Sequence, residues 1–160
     1  MWRLVIKTEP VSVNRVLIPL GIGLALSLFG DTTLYLVLPD ADVAAQAGVT
    51  LGMVGVLLGL NRLARVLFNG PVGTLYDRLP RRGLMIASIS IGAASTALYA
   101  LGQGAPLLVL GRVLWGLGWS GMWIGANTIA LDISTEENRG GINGKLQMWF
   151  FIGVAVSSVA

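Results

Sequence analysis

The chain contains no cysteine and no histidine. Their absence removes disulfides, thiolate nucleophiles, the commonest metal ligand and the side chain that ordinarily shuttles protons near neutral pH. Any proton chemistry therefore falls to carboxylates. Charge is also scarce: Asp, Glu, Lys and Arg make up 12% of the 160 residues, against about 25% in a soluble domain. No GxxxxGK(S/T) loop that would cradle nucleotide phosphates is present, so direct use of ATP is not expected. The net charge of +3 does not point to nucleic acid, because the basic residues lie beside or within apolar runs and form no stripe on a soluble face. Linkers, low-complexity tracts and a soluble domain are missing too.

What the chain has in abundance is long apolar sequence. Hydrophobic residues account for 54% of it and the mean hydropathy is +0.76, which identifies an all-α integral membrane protein. Spanning about 30 Å of hydrocarbon takes about 20 apolar residues. Runs of that length occur at Val16 to Leu38, Gly48 to Leu75, Gly83 to Gly102 and Pro106 to Ala130. A fifth, from Leu146 to Ala160, would cover only about 22 Å at about 1.5 Å per residue. The expected architecture is thus an N-terminal tail over residues 1–15 and a partial bundle over residues 16–160, with four full transmembrane helices plus part of a fifth, and the chain reads as a fragment. The first run follows basic residues, as a signal peptide would. It is too long for an h-region and lacks a clear cleavage site, so it is taken as a retained helix.

The charges outside the runs alternate. Arg3, Lys7 and Arg15 precede the first run, Arg78, Arg81 and Arg82 separate the second from the third, and Arg139 and Lys145 separate the fourth from the fifth. The connections Pro39 to Ala47 and Gln103 to Ala105 carry no Lys or Arg. By the positive-inside rule the N-terminus and the basic connections are cytoplasmic, in a multi-pass protein of the plasma membrane or, in a bacterium, the cell inner membrane. Short connections make successive helices antiparallel neighbours.

Small residues recur at spacings suited to close helix contact: Gly48, Gly52, Gly55 and Gly59 in the second run, and Gly118, Gly121 and Gly125 in the fourth. Packing explains them more simply than gating does. Trp115, Trp119 and Trp123 share one face of the fourth helix, where packing or lipid contact is favoured over substrate stacking.

Ionic side chains within the runs are costly and tend to mark a pathway. Asp31 lies about 12 Å from the outer end of the first helix and Arg112 about 9 Å into the fourth. Their depths match. An isolated carboxylate in hydrocarbon would take up a proton and go neutral, whereas a guanidinium beside it would keep it charged. An Asp31–Arg112 pair can therefore load and release a proton, or it can be a permanent strut between the two helices. Arg62 and Arg65 are three residues apart and share a face of the second helix with Asn61 and Asn69. Three readings stay open for these arginines: an anionic substrate site, acids on a C-terminal half, or snorkelling of Arg65. Asn127 and Gln147 offer polar contacts either to the pathway or between helices.

Between the second and third runs the sequence reads Gly73, Thr74, Leu75, Tyr76, Asp77, Arg78, Leu79, Pro80, Arg81, Arg82, Gly83. A Gly, an Asp four residues on and then a basic pair resembles the loop signature of the major facilitator superfamily. Arg112, Gly116 and Gly118 resemble that family's helix-four signature, in which an arginine is followed by glycines. Pro80 stands where the family usually has Gly, which removes a backbone donor and any access to positive φ.

The resemblance implies a secondary transporter in which the loop latches two halves at the cytoplasmic side. It also implies that helices one and four line a central cavity and that the helix-four arginine takes part in the proton coupling of drug antiporters. Asp77 at a helix C-terminus is disfavoured unless cations or another helix's N-terminus compensate; Arg78, Arg81 and Arg82 are at hand, or they only set topology, and Asp132 is a further partner for Arg81 or Arg82.

The function expected is proton-coupled export of a small molecule by alternating access. The partners would be lipid, substrate, protons and the missing C-terminal half of the same transporter, without which the chain should not transport. The runner-up is import of a sugar, organic acid or anion. An enzyme is not expected: the acid clusters Asp40 with Asp42 and Glu136 with Glu137 have no metal-ligand spacing and no histidine, so neither catalytic residues, a metal nor a cofactor is assigned. A non-transporting membrane subunit is the remaining alternative.

Overall fold

In the computed structural model the residues described are 12–101 and 104–159, without the side chains at positions 30 and 33. Arg3, Lys7, Gly102, Gln103 and Ala160 lie outside the described residues. Among those described there are six helices: α1 (Val13–Val37), α2 (Ala41–Gln46), α3 (Leu51–Arg78), α4 (Arg81–Leu101), α5 (Ala105–Asp132) and α6 (Arg139–Ser157). Of these, α1, α3, α4 and α5 are long and apolar enough to cross a membrane.

Local chemistry explains the helix ends. Thr50 caps α3 by accepting from the Met53 amide at 3.3 Å. Leu79 is extended, at φ −116° and ψ 159°, because the Pro80 ring disfavours helical backbone in the residue before it. Gly104 takes φ +91° at the start of α5, with a proline in the first turn. The α3–α4 turn is therefore only Leu79 and Pro80. Gly73, Asp77 and Arg78 lie on the last turns of α3, and Arg81 and Arg82 on the first turn of α4.

Two connections differ from the sequence reading. The stretch from Pro39 to Ala47 contains α2, which Asp40 caps by accepting from the amides of Asp42 and Val43 at 2.9 and 3.2 Å. These acids thus have a structural task at a helix N-terminus, where negative charge is favourable. Secondly, α6 begins at Arg139, well before Leu146. The polar segment with Gly140, Gly141 and Lys145 continues as helix, since only the apolar period stops there.

Packing centres on α5, which lies along α4 and α3, whereas α1 rests mainly on α6. The glycines of α5 make this closeness possible. A Cβ at Gly116 would stand 2.5 Å from the Ala64 Cβ and 3.0 Å from the Asn61 carbonyl, and one at Gly118 would stand 2.9 Å from the Gly92 amide nitrogen. Gly121 abuts Ser88 of α4 in the same way. The glycines of α3 differ from expectation: Gly55 and Gly59 meet no neighbour, Gly52 meets only Thr50, and Gly48 serves a turn at φ +72°. That face of α3 has no helix against it among the described residues.

One core cluster joins Leu17, Leu24 and Leu28 of α1 to Trp115, Trp119 and Met122 of α5 and to Leu146 of α6. Large apolar side chains such as Leu26, Val66 and Leu67 face outward, as they should on a lipid-facing exterior. The connections fall at two ends. At one end the Gly104 amide donates to the Ala47 carbonyl at 3.0 Å, tying the α2–α3 and α4–α5 turns together. At the other, Arg81 beside the α3–α4 turn pairs with Asp132 at the end of α5.

Candidate functional site

Four polar side chains from three helices meet inside the bundle. On α3, Asn61 and Arg65 are one turn apart on the face toward α5. The glycine at 116 lets that face come close, and Arg112, one turn earlier on α5, then reaches across to Asp31 of α1. Arg112 Nη1 donates to Asp31 Oδ1 at 2.7 Å. The Arg65 guanidinium lies 3.6 Å from the other carboxylate oxygen. Asn61 Nδ2 donates to Asp31 Oδ1 at 3.4 Å, and Asn61 Oδ1 accepts from Arg65 Nε at 3.3 Å. Arg112 Nε donates to the Leu57 carbonyl at 3.3 Å.

Burial makes these contacts consequential. Arg112 and Asn61 have 0% exposure and Asp31 has 7%. A charged group so placed is tolerated only when paired and hydrogen-bonded. Arg65 differs, with 30% of its side chain exposed.

Aromatic rings complete the shell. The Arg112 guanidinium sits 5.1 Å from the Tyr35 ring centroid and that of Arg65 sits 5.1 Å from Trp119, both within cation–π range. Arg112 Nη2 and the Tyr99 hydroxyl are buried without a hydrogen bond of normal geometry, although Tyr99 lies beside Arg112 and Ser95. Sequence reasoning missed Tyr35, Tyr99 and Phe150. Tyr35 was recoverable, since it lies one turn from Asp31 on the same helix; Tyr99 and Phe150 carried no signal of their own.

The tryptophan ladder divides. Trp115 and Trp119 are core residues, and Trp123 is half-buried. Trp119 and Trp123 are stacked with centroids 6.0 Å apart and planes at 12°, and Phe150 of α6 leans on Trp123 at 5.2 Å. With Arg65 and Asn69 these rings line a cavity of about 280 Å³. A second cavity, of about 540 Å³, lies one turn further along α5, where Asn127, Glu136, Arg139 and Asn143 contribute polar atoms.

Arg62 does not join this cluster. It is exposed and makes no ion pair among the described residues, so of the two arginines of α3 Arg65 alone reaches Asp31. The reason is angular: three residues advance a helix by less than a turn, and only Arg65 is carried toward α5.

At the α3–α4 end, Arg81 Nε donates to Asp132 Oδ2 at 3.0 Å and its Nη1 donates to the Tyr76 carbonyl. Arg81 thereby caps the C-terminus of α3, where cations are favoured. Asp77, Arg78 and Arg82 are exposed without ion pairs among the described residues. The expected cluster around Asp77 is thus absent in this conformation, and of the two arginines considered for Asp132 the partner is Arg81. A Cβ at Gly73 would meet nothing within 4 Å.

Comparison with known proteins places this chain in a family. The chain is 30% identical to the inner membrane transport protein YajR of Escherichia coli over 142 residues, covering 88% of this chain and 30% of YajR. It is 30% identical to the class D tetracycline resistance protein of Salmonella ordonez, covering 84% and 32%. With an uncharacterized MFS-type transporter of Schizosaccharomyces pombe the identity is 25%, covering 89% and 34%. The chain therefore spans about a third of the length of the curated relatives it matches. No solved structure matches it. Residues 20–160 match the family model described as Major Facilitator Superfamily, and the chain, a multi-pass membrane protein, belongs to that superfamily of transporters.

Proposed function

We propose that the chain is the N-terminal portion of a secondary carrier in which Asp31 and Arg112 couple proton movement to alternating access. One observation carries this reading: a carboxylate of α1, almost fully buried, shared between guanidiniums on two other helices at 2.7 and 3.6 Å. Such a carboxylate has two stable arrangements. Charged, it binds α1 to α3 and α5; neutral, it releases both arginines, which favours a different packing of the helices.

In this reading, the chain before Val13 is cytoplasmic, α1 to α6 are part of the N-terminal bundle, and a C-terminal half supplies the other wall of a midplane site. The basic α3–α4 turn faces the cytoplasm, and Gly73, Asp77, Arg78, Arg81 and Arg82 act as the latch between halves. Asp77, Arg78 and Arg82, which have no ion pair among the described residues, would bind across that gap, while Arg81 and Asp132 hold the turn to α5. Antiport is part of the same reading; export is supported by the likeness to a tetracycline resistance protein, and the cell inner membrane by the likeness to the inner membrane transport protein YajR.

Import of an anion is the second reading. It is favoured by the surplus of guanidiniums over carboxylates around Asp31.

The test is transport by the intact carrier reconstituted in liposomes, against a substrate panel, with and without a proton gradient. Collapsing the gradient is expected to stop accumulation, and Asp31→Asn to uncouple it. Uptake that persists without the gradient in a carrier indifferent to Asp31→Asn refutes proton coupling.

A further inference from the structure

We infer that the cavity between α3, α5 and α6 is a binding subsite for a planar aromatic anion. This deepens the transport reading, on which it rests, by naming a substrate class. Two guanidiniums, Arg65 and Arg112, share the single carboxylate of Asp31, which leaves one positive charge uncompensated. No other carboxylate lies within ion-pair distance of either arginine among the described residues. The other groups facing the pair add no carboxylate: they are the rings of Tyr35 and Tyr99, and exposed Arg62 adds further positive field along α3.

The surplus resides on Arg65. Arg112 holds Asp31 at 2.7 Å and is fully buried, whereas Arg65 is at 3.6 Å, beyond hydrogen-bond reach, and partly open to the cavity. Desolvated positive charge of this kind attracts an anion strongly, because water screens it poorly. Asn69, one turn along α3, lines the same cavity and adds an amide donor. A cation entering here would meet the uncompensated guanidinium directly.

The opposite wall sets the shape. Trp119 and Trp123 lie nearly parallel and Phe150 closes the side at a 58° tilt. Trp119 is already covered by Trp115, Trp123 and Arg65, so the rings open to an aromatic ligand, by offset stacking or edge contact, are those of half-buried Trp123 and Phe150. At about 280 Å³ the space is at the small end of ligand cavities, which run to about 300–1,000 Å³. That size suits one or two fused rings carrying a carboxylate.

The experiment uses the intact carrier, purified, with calorimetry and tryptophan fluorescence as readouts. The probes are 2-naphthoate, its neutral amide 2-naphthamide, and cyclohexanecarboxylate. Saturable binding of 2-naphthoate is expected, weaker by about tenfold or more for the amide, which lacks the charge-assisted contact. Arg65→Gln should weaken 2-naphthoate by a similar factor and leave the amide unchanged, with Arg65→Lys restoring part of it. Asn69→Ala, at an exposed position, should weaken 2-naphthoate without threatening the fold. Trp123→Leu should weaken 2-naphthoate about threefold or more and leave cyclohexanecarboxylate unchanged.

Equal binding of acid and amide, or full affinity in both Arg65→Gln and Asn69→Ala, overturns the subsite. If the carrier moves a panel solute on a proton gradient yet does not bind 2-naphthoate, the subsite is wrong and the transport reading survives. If 2-naphthoate binds in an Arg65-dependent way while no solute moves under any gradient, the subsite stands and the transport reading falls.

Discussion

Neutralising the buried pair one partner at a time and then together separates a coupling device from a strut. Asp31→Asn leaves Arg112, with no exposed side-chain surface, facing Arg65 without a counter-ion. Breaking a buried pair by deleting one partner costs about 3–5 kcal/mol. Arg112→Gln strands the carboxylate, but Asn61 and Arg65 remain beside it, so its cost falls at the lower end of that range. In the double variant Asp31→Asn/Arg112→Gln two amides replace the ion pair and can bond to each other. Much of the loss should return, as a coupling energy of about 2–3 kcal/mol. Arg65→Gln, whose partly exposed contact is 3.6 Å long, should cost no more than about 1 kcal/mol.

The measurement is denaturant unfolding of the detergent-purified intact carrier for all variants, paired with proton-driven transport. Costs that add to within about 0.5 kcal/mol would refute the reasoning, since two partners of one buried ion pair must couple. A double variant that regains both stability and proton-driven transport would show Asp31 and Arg112 to be a strut and nothing more. Recovered stability with transport uncoupled from protons is the result expected.

Gly118→Ala should destabilise by about 1–3 kcal/mol, because the new Cβ meets backbone atoms of α4 at 2.9 and 3.0 Å. Gly73→Ala, with nothing within 4 Å, should be neutral or stabilise by up to about 1 kcal/mol through helix propensity; equal unfolding midpoints for the two variants would contradict the α4–α5 packing. Asp132→Asn removes a largely exposed ion pair with Arg81, so its cost should stay below about 1 kcal/mol and shrink in high salt, as read from thermal unfolding at two ionic strengths. For orientation, an impermeant thiol reagent should label Asp42→Cys in intact cells and Arg82→Cys only after permeabilisation; the reverse pattern would invert the assigned topology.

Composition and periodicity sufficed for the membrane class and the positions of the apolar helices, because a bilayer imposes its thickness on any segment that crosses it. The juxtaposition of Asp31 with Arg112 was legible too, since matched depths on antiparallel helices constrain which charges can meet. The helical state of residues 139–145 was not legible, because a polar, glycine-containing stretch carries no apolar period, and Asp40 as a cap was obscured by its acidic neighbour. Only the tertiary structure decided that Arg65 turns inward while Arg62 does not, that Gly116 rather than the glycines of α3 brings two helices together, and that Arg81 takes Asp132 while Asp77 has no ion pair among the described residues. Each of these depends on how a helix is rotated about its own axis. Rotation is settled by side-chain packing against neighbours, and no single helix contains that information in its own sequence.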